Sequence, residues 1–497
     1  MRTNHGRVTR LAGAALVAAV ALVGCSAGDG YSDATGAVEP GPEGWGMPAP
    51  DPVPTGSAAT SGMTDPAHDA LSTFALDIDT GSYTRFRDAV SQGASIDARE
   101  VRTEEFVNYF EQDYPAPRDG LGVSIDAVEL PFRADHRLVR VGISSAPASS
   151  VSRDDVDLVL VVDCSGSMDE AGKMATTQAA LRTLVSALRP TDRVAMVCYS
   201  DEAEVVLDPT PVSERQGVLA AVDALTPQAS TNAAAGLALG YDVAMDMRTE
   251  GRMTRVVLIS DGVANVGETD PDGILSRIST EARAGINLVS VGVGITTYDD
   301  HLLEQLADQG DGWHVYIDTA AEAERVFGTG LTGSLVVAAR DAKAQVQFDP
   351  AQVAGYRLLG YENRAVADGD FRNDAVDGGE VFAGHATTAL YEVALREGVS
   401  FEPFVTATVR YLDDAGEPVE RSGSLDGSAS ATSPREASPR LRQDLVVALL
   451  TDHLVGGPWS TVVGAADLRA EAAALPAVLD GDRDVAQLVD LVDRATG

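Results

Sequence analysis

Lysine is almost missing from this chain of 497 residues: Lys173 and Lys343 are the two it has, and 37 basic side chains face 75 acidic ones for a formal net charge of −38. A surface of that sign repels phosphate backbones, which argues against a nucleic-acid binder and for solubility. Cysteine is as scarce. Cys25, Cys164 and Cys198 exclude a disulfide-dense scaffold and any four-cysteine zinc site. The seven histidines never fall in an H-E-x-x-H spacing, which removes the zinc-peptidase helix. Beyond the first 25 residues no segment has the length and apolarity of a membrane span, and no C-terminal sorting motif is visible.

What is present begins with an export signal. Arg2, Arg7 and Arg10 precede an almost wholly small or apolar run, Leu11 to Val23, too short to cross a bilayer comfortably and suited to the core of a signal peptide. It ends Leu22-Val23-Gly24-Cys25, which resembles the bacterial lipobox; the resemblance implies cleavage before Cys25 and a lipid on its thiol. A signal peptide thus occupies 1–24. Residues 25–70 are rich in Gly, Pro, Ser, Ala and Asp, with little to bury, and are expected to form an extended, mobile tether. The lipid is then the anchor, and the protein is expected on the outer side of the cell membrane.

Three blocks follow. Residues 71–150 mix short helices (Thr80 to Val90, Thr103 to Phe110) with strands (Val123 to Leu130, Arg137 to Ile143). Residues 340–497 begin with strands and finish with helices, interrupted by a Ser-rich loop from Arg421 to Arg440. Between them, residues 154–335 alternate apolar β-branched runs with helical periods. The strands expected there are Val156–Asp163, Arg193–Tyr199, Glu204–Leu207, Thr254–Ser260, Asn287–Gly292 and Trp313–Ile317. Near-continuous apolar runs are the mark of strands buried on both faces. Leu181, Leu184, Val185 and Leu188 recur at helical spacing in the first connection. The expectation is an α/β block with a doubly wound, mostly parallel sheet, flanked by α+β domains, with ligands beyond the carboxyl ends of the central strands.

Those ends carry the chemistry. The first strand ends Asp163-Cys164-Ser165-Gly166-Ser167-Met168, a loop before a helix reads Ser230-Thr231-Asn232, and a later strand ends Ile259-Ser260-Asp261-Gly262. Two hydroxyls spaced two apart can face one ion, and two carboxylates from neighbouring strand ends supply charge. An all-oxygen set suits a hard cation, Mg²⁺ first, with Mn²⁺ or Ca²⁺ as alternatives. For the first triplet alone, capping of a helix is the competing reading. Asp-x-Ser-x-Ser, the loop threonine and Ser-Asp-Gly together resemble a von Willebrand factor type A domain over the whole middle block. The resemblance implies a metal-ion-dependent adhesion site at Asp163, Ser165, Ser167, Thr231 and Asp261. Its serines would bind directly, its aspartates would act largely through water or hydrogen bonds, and an open position would accept a carboxylate from a protein partner. Ala229-Ser230-Thr231-Asn232-Ala233 departs from the glycines many members carry before the threonine.

The flanks resemble those of a family of bacterial type A domain lipoproteins. Before the middle block the resemblance rests on Phe74-Ala75-Leu76-Asp77-Ile78-Asp79-Thr80 and Glu104-Glu105-Phe106-Val107-Asn108-Tyr109-Phe110. After it, Phe348-Asp349-Pro350, the run Tyr356 to Arg364 and the run Gly384-His385 to Tyr391-Glu392 carry it. The flanks are expected to pack on each other, with strands from both sharing one sheet.

Several patterns lead nowhere. Asp79-Thr80-Gly81-Ser82 is an aspartic-protease fingerprint without the second motif that mechanism needs, and capping by Asp79 or Thr80 explains it better. Gly166 to Lys173 mimics a phosphate-binding loop, but five residues separate its glycines and Met174 follows the lysine. Cys164 and Cys198 end neighbouring strands; free buried thiols are expected, with a disulfide as the alternative. His314 and His385 read as structural. The expected function is non-enzymatic: cation-dependent recognition of a protein. An envelope or assembly scaffold with a purely structural metal is the alternative, and a phosphate-ester hydrolase is the remote one, since no cation is placed for a phosphoryl group. Partner and oligomeric state are not legible.

Overall fold

The computed structural model describes residues 62–497 apart from 77–78, 148–153, 171, 229, 263–277, 295–299, 311, 330–335, 362–363, 375, 377, 399–401 and 414. The signal peptide, Cys25 and the tether up to residue 61 lie outside the described residues.

The strands fall into three sheets. Before the middle block come β1 (Leu71–Ala75), β2 (Leu121–Leu130) and β3 (Arg133–Ser145). Within it lie β4 (Asp155–Asp163), β5 (Arg193–Tyr199), β6 (Ala203–Pro211), β7 (Arg252–Ser260), β8 (Ile286–Val293) and β9 (His314–Ile317). After it come β10 (Val337–Phe348), β11 (Val353–Leu359), β12 (Val381–Phe382), β13 (Ala386–Leu395), β14 (Pro403–Leu412) and β15 (Pro418–Asp426).

The middle block forms one six-stranded sheet in the order β6-β5-β4-β7-β8-β9. All its pairings are parallel except that of the edge strand β6, which turns back antiparallel on β5. The apolar runs are explained by their two neighbours. Leu158, Leu160 and Val162 of β4 share a core with Leu181, Leu184 and Val185 of α3 (Lys173–Ala187) and with Val218 and Val222 of α4 (Arg215–Ala224). The intervening Val159 and Val161 join Leu237 and Tyr241 of α5 (Ala233–Met247) on the opposite face. A sheet covered by helices on both faces is the expected α/β architecture. It puts the carboxyl ends of β4 and β7 side by side at its centre.

The flanks build two further antiparallel sheets from both ends of the chain. One has the order β1-β10-β14-β15, with β12 also on β10; the other runs β11-β13-β3-β2. Sharing is thus wider than expected, since strands from both flanks pair in each sheet: Phe74 lies opposite Ala344, and Val141 opposite Ala389. Val139, Val141, Tyr391 and Val393 point inward to meet Val346, Phe348 and Val409, so the two sheets form a sandwich. Leu138 and Leu390, on the alternate positions, meet a helical layer that includes Leu445 and Leu449 of the helix Pro439–Val455. Among the described residues no helix is long and apolar enough to cross a membrane.

Three expectations need correction here. The tether expected over 25–70 ends sooner: Thr64 already exchanges both backbone hydrogen bonds with Tyr356, at 2.7 and 3.0 Å, and the Ala70 carbonyl accepts from Phe348 N. The backbone ladder, which needs no apolar side chains, fixes this segment. Asp79 and Thr80 do not cap α1 (Gly81–Ser91): Thr80 makes no capping bond, and the Glu105 carboxylate accepts from Ser82 N at 2.7 Å instead. Asp79 is used elsewhere, accepting from His314 N in the middle block at 3.0 Å and pairing with Arg364 of the far flank at 3.4 Å. The Ser-rich loop opens as strand, because β15 carries Arg421 to Asp426 against β14.

Two arginines fasten the middle block to the first flank. Arg87 of α1 reaches Asp318 just past β9 and Glu322 a turn later, at 2.5 and 2.9 Å, and all three side chains are buried. Arg102, ahead of α2 (Thr103–Asn108), bonds Glu304. Buried pairs of this kind fix geometry more surely than they add stability. His314 bonds Ser290 Oγ at 2.7 Å, and His385 is half-buried with its pKa pressed down by desolvation to about 4, as suits structural histidines.

Candidate metal centre

Asp163 closes β4 in register with Tyr199 of β5. Its carboxylate is buried and accepts three hydrogen bonds. Oδ1 accepts from Ser165 N at 2.8 Å, while Oδ2 accepts from Tyr199 OH at 3.1 Å and from Ser260 Oγ at 2.8 Å. Burial lifts its pKa above the ordinary carboxylate value, against the pull of its hydrogen bonds. The backbone bond at Ser165 turns the chain sharply, so that Ser165 and Ser167 face the same way with their Oγ atoms 2.9 Å apart. Ser167 Oγ donates onward to Asp261 Oδ1 at 3.0 Å. Four of the five residues singled out in the sequence therefore form one continuous patch of oxygens, from strands separated by almost a hundred positions.

Thr231 stands two residues before α5, which begins under an Asn232 cap on Ala235 N. Its loop is held at the same end of the sheet, because Gln228 N donates to the Cys164 carbonyl at 2.6 Å. Among the described residues no hydrogen bond joins Thr231 to the other four. Ser167 and Ser230 are exposed, and among the described residues neither flank bonds any of the five.

The donor spacing can be tested against a cation. Neighbouring ligands of an octahedral Mg²⁺ with bonds of ~2.0–2.1 Å stand roughly 2.9–3.0 Å apart by simple geometry. The two serine hydroxyls expected to bind directly, Ser165 Oγ and Ser167 Oγ, have that separation, 2.9 Å, and Asp261 Oδ1 stands a hydrogen bond away from Ser167 Oγ, at 3.0 Å. All donors are oxygen. The residues fit a hard divalent ion.

Two neighbours were not foreseen as part of this site. Lys173, weighed only as the lysine of a failed phosphate loop, places Nζ 2.9 Å from Asp261 Oδ2 and 3.4 Å from Glu170. Burial pulls its pKa down, but Asp261 and Glu170 outweigh that, so the ammonium is held above its ordinary value. The cysteines correct the expectation of free thiols: Cys164 and Cys198 form a disulfide, with Cα atoms 5.9 Å apart. Their strand positions are adjacent, and both side chains turn into the same core beside Met168 and Val291. Direction, not position, decided the matter, and a sequence carries no direct record of it.

The comparisons with known proteins agree with this fold. Residues 157–328 match the von Willebrand factor type A domain, 56–140 match a von Willebrand factor description, and 333–495 match the C-terminal region of uncharacterized protein YfbK. The chain thus holds a type A domain, a class that mediates protein–protein interactions in general and often binds a divalent cation. More particularly, it joins that domain to a YfbK-like C-terminal domain and is homologous to YfbK of Escherichia coli (strain K12). The two are 35% identical over 338 residues, which is 66% of this chain and 59% of YfbK. Uncharacterized protein sll0103 of Synechocystis is 25% identical over 206 residues, covering 40% of this chain and 48% of that one. The chain therefore spans about half the length of these curated relatives. Among solved structures, a von Willebrand factor type A protein from Catenulispora acidiphila aligns at 16% identity and a TM-score of 0.42, over 78% of this chain and 88% of that one.

Proposed function

We propose that the type A domain binds a divalent cation, Mg²⁺ first and Mn²⁺ or Ca²⁺ as alternatives, and through it a carboxylate presented by a protein partner. Ser165, Ser167 and Thr231 are the direct ligands. Asp163 and Asp261 set the charge and orient water through their remaining lone pairs. When bound, the cation supplies an electrophilic position open to an incoming carboxylate. The observation that carries the reading is the convergence of the Ser165 and Ser167 hydroxyls with the Asp261 carboxylate at the carboxyl ends of β4 and β7, Ser167 being exposed there. Recognition, and not catalysis, is the role we assign to this all-oxygen set. The chain is held by a lipid on Cys25 at the outer side of the cell membrane, with the acidic surface keeping it soluble there.

Calorimetric titration of Mg²⁺ or Mn²⁺ into the protein, with Ser167→Ala as control, tests the site. Binding that is weakened in the variant is expected; equal and negligible heats in both end the metal reading. The scaffold alternative separates in a pull-down with and without chelator, since partner retention after chelation favours it.

A further inference from the structure

The charges around the site do not stop at the two aspartates. Lys173 is one of the two lysines in the chain, and its ammonium bonds Asp261 Oδ2 at 2.9 Å with both side chains under a tenth exposed. Asp261 Oδ1, the other oxygen of the same carboxylate, faces Ser167 and the candidate cation position. One carboxylate thus bridges a fixed ammonium and the metal position. The lysine's place is built in. Gly294, at φ +60°, leaves space for its stem: a Cβ there would meet Lys173 Cγ at 2.7 Å. Glu170, the second partner, is largely exposed and at 3.4 Å, so solvent screens most of its charge.

We infer that Lys173 is a specificity-determining residue of the site, weakening its hold on the cation in order to strengthen its hold on an anion. This rests on the metal reading above. The formal charges decide the sign. Asp163 and Asp261 bring two negative charges and Lys173 one positive, so the empty site carries −1 and a site loaded with a divalent ion +1. Without the lysine the empty site carries −2, which favours a divalent ion, and the loaded site is neutral, which gives an incoming carboxylate no net attraction. One substitution therefore moves the two affinities in opposite directions. A lysine that merely supports the loop would not do so, because loop damage weakens both.

The test uses the full chain, Mn²⁺ as metal and acetate as anion. Lys173→Met removes the charge and keeps an apolar stem; Lys173→Gln removes the charge and keeps a hydrogen bond to Asp261. Melting curves in chelator establish that each variant is folded, and the glutamine variant stands in where loss of that bond unfolds the methionine one. Titration calorimetry reads Mn²⁺ affinity, and water-proton relaxation of the Mn²⁺-loaded protein reads acetate entry. With one unit charge removed a few ångströms away, Mn²⁺ is expected to bind on the order of tenfold more tightly. Acetate is expected to bind several-fold more weakly. Unchanged or weaker Mn²⁺ affinity in a folded variant, or unchanged acetate affinity, overturns the assignment while leaving the metal site standing. Failure of the unmodified protein to bind Mn²⁺ overturns both.

Discussion

Asp163 and Ser167 belong to the same oxygen patch but are attached to the fold in different ways, and their alanine variants should separate. Asp163 is fully buried and accepts from three groups: Ser165 N, Tyr199 OH and Ser260 Oγ. Truncation leaves Ser165 N and Tyr199 OH without that acceptor inside the protein. Ser260 Oγ can swing to the Gly262 carbonyl, which it already approaches at 2.8 Å. Hydrogen bonds to a charged group contribute about 1.5–3 kcal/mol each, and a stranded buried donor costs about 1–3 kcal/mol. Against this stands relief of the buried charge, whose cost shows in the upward shift of the Asp163 pKa. The balance for Asp163→Ala is a loss of about 2–4 kcal/mol, present even in chelator. Ser167 is exposed, and among the described residues its hydroxyl bonds only Ser165 and Asp261. Water replaces it, so Ser167→Ala should change stability by no more than about 0.5 kcal/mol, as surface substitutions usually do. Both should lose Mg²⁺ affinity. Urea denaturation in chelator, followed by Mg²⁺ titration of each folded variant, separates the roles. An Asp163→Ala protein as stable as its parent in chelator refutes the account of that carboxylate as the anchor of the β4 turn.

Glu392 offers a second perturbation, remote from the metal position. It accepts from Arg133, His136, Arg357 and Trp459 at 2.6–2.9 Å. Burial alone would raise its pKa, but the His136 hydrogen bond and the Arg357 charge outweigh it and hold the carboxyl at about 2, below the ordinary 4.5. The folded-state value is the lower one, so the stabilisation is complete above pH 4.5 and fades as pH falls toward 2. Glu392→Gln should cost about 3–5 kcal/mol at neutral pH and flatten that part of the acid profile, which denaturation curves between pH 2 and 6 will read. Reducing Cys164–Cys198, which closes a loop of 34 residues, should lower stability by about 3–4 kcal/mol in a melting experiment with and without dithiothreitol. An unchanged transition would show that the bond adds nothing.

The central sheet was legible because its strands are buried on both faces. Such strands spell themselves in consecutive apolar residues, and β5 matches its expected bounds from Arg193 to Tyr199. The oxygen patch was legible because Asp163, Ser165 and Ser167 sit within five residues, and Asp261 ends a strand of the same kind. Lys173 escaped for a physical reason: what it pairs with lies 88 positions away, and only the β4–β7 pairing brings them together. The disulfide stood only as the alternative to free thiols because strand position does not fix side-chain direction. The interleaving of the flanks left only the hint that they pack together, since an antiparallel ladder between distant strands carries no local signature. Pairing also rescued Thr64 from the expected tether, through backbone groups that every residue possesses.

That interleaving sets an order of events during synthesis. β3 must wait for β13: Val141 finds Ala389 only after about 250 further residues have been made. The type A sheet, by contrast, draws all its strands from one uninterrupted stretch and needs nothing that is made later in order to close. Until the C-terminal part emerges, β2 and β3 are a lone hairpin with both edges unprotected, since β3 awaits β13 and β2 awaits Ala431, a state prone to wrong pairing. A chain cut short after the type A domain would therefore strand its own beginning, and truncated products should precipitate or be degraded while the intact chain matures.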